Sequence, residues 1–188
     1  MRFQRSLVFL VTFACAGTLT LSLAAEKSKA PAFDFRGVSY FHRWSNRDQH
    51  EFTPDKQEDL DRWTDMITVN GYPGVHDGDG LATTANAVLE NYKSHEAKIL
   101  KTSSIPRTAD QPAEHIIAVM FTRPAFIEIA FARFKLRDNK GQSSVYSHRF
   151  YGEKKSDEAN AWLKADGAAV EKALTEWDPS LGLLDKTD

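Results

Sequence analysis

Two segments carry a single apolar stripe at helical spacing, and a helix of that kind must be buried against a flat partner. Leu81, Ala85, Val88, Leu89 and Tyr92 form the first stripe. Ala159, Trp162, Leu163, Val170, Leu174 and Trp177 form the second. Each leaves its other side to water, so each predicts a helix laid on a β-sheet rather than a helix inside a bundle. Asp79 is placed to cap the first helix and Ser156 the second, with Asp157 and Glu158 favourably sited in the second helix's first turn. Gly167 interrupts the second stripe at a cost of about 1 kcal/mol against Ala and marks a candidate kink.

The strands that such helices would cover are legible from alternation. Phe35 to Trp44 places Val38, Tyr40, His42 and Trp44 on one face. Trp63 to Asn70 reads as a second strand, ended by Gly71, Pro73 and Gly74. Between them, Ser45 to Asp61 is polar and charged, with a turn at Thr53-Pro54-Asp55, and Arg47 to Met66 is dense enough in polar and aromatic side chains to be either a functional loop or a loop pinned by Phe52 and Trp63 as apolar anchors. Four more strands follow: Ala97–Ser103, His115–Phe121, Phe126–Leu136 and Ser143–Tyr151. Asp138-Asn139-Lys140-Gly141 turns the last two into a hairpin, with Gly141 able to take positive φ.

Strand, strand, helix, four strands, helix predicts a single α+β domain over residues 35–178. Its sheet would be twisted, antiparallel or mixed, with about six strands and two covering helices. This element order resembles the PsbP/Mog1-like fold, which includes exported DcrB-like bacterial proteins. A cystatin-like sheet wrapped on one helix is the alternative. Members of the PsbP/Mog1-like group include photosystem accessory, GTPase-binding and periplasmic proteins, so the resemblance implies an accessory or binding role and carries over no site residue.

The first 25 residues read as a signal peptide. Arg2 and Arg5 give a positive start, Leu7 to Ala14 an apolar run, and Ser22-Leu23-Ala24 the small residues for cleavage near Ala25. The uncharged stretch from Leu7 to Ala25 leaves an uncleaved membrane anchor as the alternative. Thr12-Phe13-Ala14 before Cys15 matches a lipidation box poorly. Residues 26–34 form a flexible lead-in and 179–188 a tail. Export to a periplasm or outside the cell is therefore expected, with no stable membrane insertion once the leader is removed.

Cleavage would remove the sole cysteine, Cys15, and with it any thiol catalysis, thiolate metal site or disulfide. It would also remove Arg2 and Arg5, taking the formal charge from −2 to −4, which gives no reason to expect nucleic acid as a partner. The sequence holds no Gly-x-Ser-x-Gly, His-Glu-x-x-His, P-loop or Gly-x-Gly-x-x-Gly motif, and no cofactor is expected. Asp77-Gly78-Asp79-Gly80 has the look of a calcium loop, but Val88 stands where an EF-hand needs its closing Glu. His115, at the start of an apolar strand, reads as a satisfied, half-buried imidazole.

One internal echo supplies the candidate site. Tyr40-Phe41-His42-Arg43-Trp44 and Tyr146-Ser147-His148-Arg149-Phe150 share the pattern Tyr-x-His-Arg-aromatic on two predicted strands. Alternation puts Tyr40, His42, Tyr146 and His148 on one side and Arg43 and Arg149 on the other. If the strands were close, the guanidinium pair would suit a small anion, and His42 with His148 would suit a metal. If not, each Arg is expected to pair with an acid such as Glu128. The expected function is an exported, noncatalytic binding or accessory protein for a protein or small anionic ligand. An exported hydrolase with a dispersed acid/His site, or a periplasmic metal-binding protein, is the alternative.

Overall fold

The computed structural model describes residues 30–178. The expected leader, the tail at 179–188 and residues 26–29 of the lead-in lie outside the described residues. Eight strands and two helices follow in the order β1 (Phe33–Phe35), β2 (Val38–Asn46), β3 (Gln49–Pro54), β4 (Asp65–Tyr72), α1 (Gly78–Ser94), β5 (Lys98–Ile105), β6 (Glu114–Thr122), β7 (Phe126–Arg137), β8 (Lys140–Tyr151) and α2 (Lys155–Glu176). They form a single antiparallel sheet in the spatial order β1-β2-β3-β4-β8-β7-β6-β5. The α+β class with two covering helices holds, and the strand number rises from about six to eight.

The two extra strands sit where sequence read lead-in and loop. β1 spans only three residues and returns into β2 through Arg36 and Gly37, both at positive φ, as a tight two-residue hairpin demands. β3 occupies the expected insertion. Its inward residues His50 and Phe52 are buried, as is Thr53. Phe52 and Trp63 are indeed apolar anchors at 2% and 3% exposure, but Phe52 does its anchoring from a strand.

Each helix covers one face of the sheet. α2 lies over β7 and β8, burying Ala159, Val170 and Leu174 against Ile129, Phe131 and Tyr146. Full burial of a side chain such as Leu174 contributes roughly 1.5–3 kcal/mol. α1 lies over β6 and β7 on the other face, where Leu81 and Ala85 meet Ile117, Val119, Ala132 and Phe134, with Val88, Leu89 and Tyr92 packed at the border. The first stripe thus points where its spacing said it would.

Three local expectations change. Asp77, not Asp79, caps α1, its Oδ1 accepting from the Gly80 amide at 2.7 Å. α2 begins two residues before the position Ser156 would cap, at an N-cap Lys154 without a side-chain bond. In the β7–β8 hairpin the positive-φ residues are Asp138 and Asn139. Gly141 is needed for another reason: a Cβ there would lie 2.9 Å from Val75 Cβ. Gly167 likewise serves close packing, in an unbroken helix, since a Cβ would lie 3.0 Å from Leu163 Cδ1 and 3.7 Å from Phe131.

Arg133 joins the sheet to the end of α2 and was not singled out by sequence. Its Nε and Nη2 donate to the two oxygens of Glu114 at 2.6 and 2.9 Å, and Nη1 donates to the carbonyls of Leu174 and Trp177. A buried guanidinium therefore neutralises a carboxylate and also satisfies the orphan carbonyls at a helix C-terminus.

Candidate functional site

The echoed pentapeptides do not converge. β3 and β4 lie between β2 and β8, so the two copies stand three strand spacings apart, about 14 Å along the sheet. His42 and His148 are not brought to one metal site, and Arg43 and Arg149 do not form an anion clamp. Among the described residues, no group of three or more His, Cys, Asp or Glu side chains is arranged to hold a metal ion.

A β-bulge at Arg43 also breaks the symmetry of the echo. His42 pairs with Phe52, but Trp44 pairs with Glu51, so Trp44 turns onto the face carrying Arg43. The same slip brings Ser45 beside the histidines, where its hydroxyl bridges His42 Nε2 at 2.5 Å and buried His50 Nδ1 at 2.7 Å. Burial lowers the His50 pKa, partly opposed by Asp48. Arg43 donates to Thr53 Oγ1 and the Pro54 carbonyl and lies 3.5 Å from Glu58.

In the second copy Tyr146, His148 and Phe150 keep one face, under α2. Tyr146 and His148 both donate to Asp65 Oδ1, at 2.7 and 2.8 Å, and His148 stacks on Trp162 at 4.9 Å and 7°. Burial pushes the Asp65 carboxyl up, but the bonds from His148 and Tyr146 outweigh it and leave its pKa below the usual value. Tyr40 and Tyr146 come near one another around the Phe35 ring, and burial raises both phenols far above their ordinary range. An aspartate orienting an imidazole has the form of a catalytic pair. Among the described residues, however, no hydroxyl is bonded to the other nitrogen of His148, and the half-buried pair packs against the border of the aromatic core. It ties β4 to β8.

The opposite face has a different character beyond the edge of α1. There the sheet is left open, and the outward residues of β4 and β8 floor a groove of about 540 Å³ walled by α1. Thr68, Asn70, Ser143 and Ser147 make a floor of hydroxyls and amides. Asn70 Nδ2 and Tyr72 OH each lie 3.1 Å from Ser143 Oγ, so that end of the floor is fixed by its own bonds. Gln49 and Asn91 stand at the rims. A groove of this size is in the range of small-ligand sites.

Arg149 sits in this groove with Glu128, its cross-strand neighbour on β7. Nε donates to Glu128 Oε2 at 2.8 Å, the acid pairing that sequence offered as the alternative to an arginine pair. The Trp63 and Phe126 rings hold the guanidinium between them, with Cζ 3.9 and 4.1 Å from their centroids. Neither ring could be assigned to Arg149 from sequence, because one comes from the β3–β4 connection and the other from the start of β7. Alternating polar residues on two central strands were the available signal for the groove itself. Nearby Glu51 has its pKa raised by burial, against the lowering effects of Gln49 and Arg149.

A wider hollow, about 760 Å³, opens at the N-terminal end of α1 beside the connection 106–113. Its wall is mostly exposed loop, and Asp77 within it is engaged as the helix cap. His115 borders it and is only half satisfied: Nδ1 meets Ser104 Oγ at 2.9 Å, while Nε2 is buried without a partner. The groove on the sheet has the more rigidly fixed floor.

No protein-family model matches the sequence, and no curated protein matches it. Among solved structures the chain is similar to the Ran-binding protein Mog1p of Saccharomyces cerevisiae, at 15% identity and a TM-score of 0.48, over 73% of this chain and 82% of that one. A Mog1 mutant structure matches with the same values. Human STARD10 matches at 11% identity and a TM-score of 0.29, over 73% and 74% of the two chains. Mog1 belongs to the fold group that the element order resembled. Ran binding is a property of the yeast protein.

Proposed function

We propose that this chain is an exported, noncatalytic binding or accessory protein whose ligand or partner seats in the groove between α1 and the β4–β8 part of the sheet. One observation carries the binding reading: beside α1 a groove of about 540 Å³ opens over β4 and β8, its floor made polar by Thr68, Asn70, Ser143 and Ser147 and tied at one end by the bonds of Asn70 and Tyr72 to Ser143. A core-forming sheet face left open and made polar is a surface built for contact. The positive start and apolar run of residues 1–25 support export. Among the described residues no helix is long and apolar enough to cross a membrane.

Capture from the compartment that receives the chain tests this reading. Asn91→Trp and Thr68→Trp should fill the groove from its wall and its floor, while Lys164→Trp adds the same side chain to the outer side of α2. Whatever the wild type retains should be lost by the two groove variants and kept by Lys164→Trp. Equal capture by all three would remove the groove from the function.

A further inference from the structure

Arg149 is held more tightly than an ion pair requires. Two aromatic rings fix the plane of its guanidinium, and the bond from Nε to Glu128 fixes its rotation within that plane. Its terminal nitrogens donate no hydrogen bond to any described residue. They are not sealed either: the buried side-chain nitrogens and oxygens without partners among the described residues are His115 Nε2 and Gln142 Oε1. A guanidinium immobilised in this way, at the wall of a polar groove, presents two parallel N–H groups at no further ordering cost.

The surrounding charges narrow what can approach. Glu128 already offsets Arg149, and Glu51 adds a second carboxylate that interacts with it. Arg123 contributes positive charge at the far wall, but it donates its terminal nitrogens to the carbonyls of Thr122 and His95. The lining carries two cations and one acid, with Glu51 beside it, so any net positive charge is small, which suits a singly charged planar group better than a dianion. The hydroxyls and amides of Ser147, Thr68 and Asn70 would lie under the remainder of such a ligand.

We infer that Arg149 receives a ligand carboxylate in a bidentate pair, making the groove a site for a small polar acid or for the C-terminal carboxylate of a peptide. This rests on the groove being the binding surface. Both sources share one chemistry, and the test separates them.

The probes are lactate, glutamate and N-acetylglycine, and a tetrapeptide mixture prepared once with free C-termini and once amidated. The readout is the NMR signal of the Arg149 Nε–H and of the Ser147 amide in the exported protein. Free-carboxyl probes should shift both signals saturably, and amidated peptides should not. Arg149→Lys keeps the charge without the fork and should weaken binding at least about tenfold. The double variant Glu128→Gln/Arg149→Gln keeps a neutral cross-strand pair, protects folding, and should abolish the response. Response to the small acids alone assigns a free acid, and response to peptides alone assigns a chain terminus. Equal response to amidated peptides, undiminished binding by the double variant, or no shift with any probe to about 10 mM would overturn the assignment. If the carboxylate fails while Asn91→Trp still abolishes capture, only this assignment falls. If both groove-filling variants leave capture intact, the groove reading falls with it.

Discussion

The two faces of the sheet solve opposite problems with neighbouring residues of the same strands. On β8, Tyr146, His148 and Phe150 point under α2 into a stack of rings, while Ser147 and Arg149 point into an open groove. On β4, Asp65, Ile67 and Val69 are on the α2 side, and Thr68 and Asn70 face the groove. Alternation along the strand thus assigns stability to one set of residues and surface chemistry to the other. The lesson is local: a Ser between two aromatics in a central strand marks a face that the fold leaves uncovered.

Substitutions on the α2 face should therefore cost stability, and substitutions in the groove should not. The largest loss is expected for Arg133→Ala, which strands Glu114 and frees the carbonyls of Leu174 and Trp177. Breaking a buried pair of this type costs about 3–5 kcal/mol, readable as a shifted urea midpoint. A change below about 1 kcal/mol would mean that the end of α2 is not clamped as described.

Trp162→Ala should follow, at about 3 kcal/mol, because the ring is packed by His148, Tyr146, Phe150 and Phe131 yet remains partly exposed. For a chain of this size that lowers Tm by roughly 6–12 °C. Unchanged Tm with lost capture would instead make α2 the contact surface and reverse the comparison.

The fold was legible where its periodicity was local. The stripe from Leu81 to Tyr92 sits on α1 as spaced, and Asp138-Asn139 turns β7 into β8. β3 escaped because Gln49–Pro54 contains only one large apolar residue, and its burial depends on pairing with β2 and β4. β1 is too short to alternate. Of the candidate site, Arg149 and its Glu128 partner were within reach, since residues facing one another across a hairpin can be counted. The sandwich of Trp63 and Phe126, and the bulge that turns Trp44 away from His42, are products of tertiary packing.

A smaller effect separates the faces by pH. The Asp65 pKa is lowered on folding, so its ionised form adds stability above the unfolded value, about 3.9, and loses it as pH falls through the folded value. The advantage of wild type over Asp65→Asn should accordingly shrink as pH falls below about 4, measured by urea unfolding at each pH. An advantage that stayed constant as the pH was lowered would mean the bonds from Tyr146 and His148 do not favour the carboxylate.

The smallest effect belongs to the groove. Ser147→Ala removes a hydroxyl to which no described residue is hydrogen-bonded, and stability should stay within about 0.5 kcal/mol of wild type by the same unfolding measurement. A loss above about 1 kcal/mol would make Ser147 part of the core instead of the floor.

Oxidative footprinting of the chain in the cell that makes it, against the purified chain, is the most direct test of groove occupancy. Tyr72, Tyr92, Phe121 and Phe126 around the groove should be protected, with the outer residues Lys164, Lys172 and Glu176 of α2 labelled equally in both settings. Protection along the outer side of α2, with the groove aromatics equally reactive in both, would contradict it.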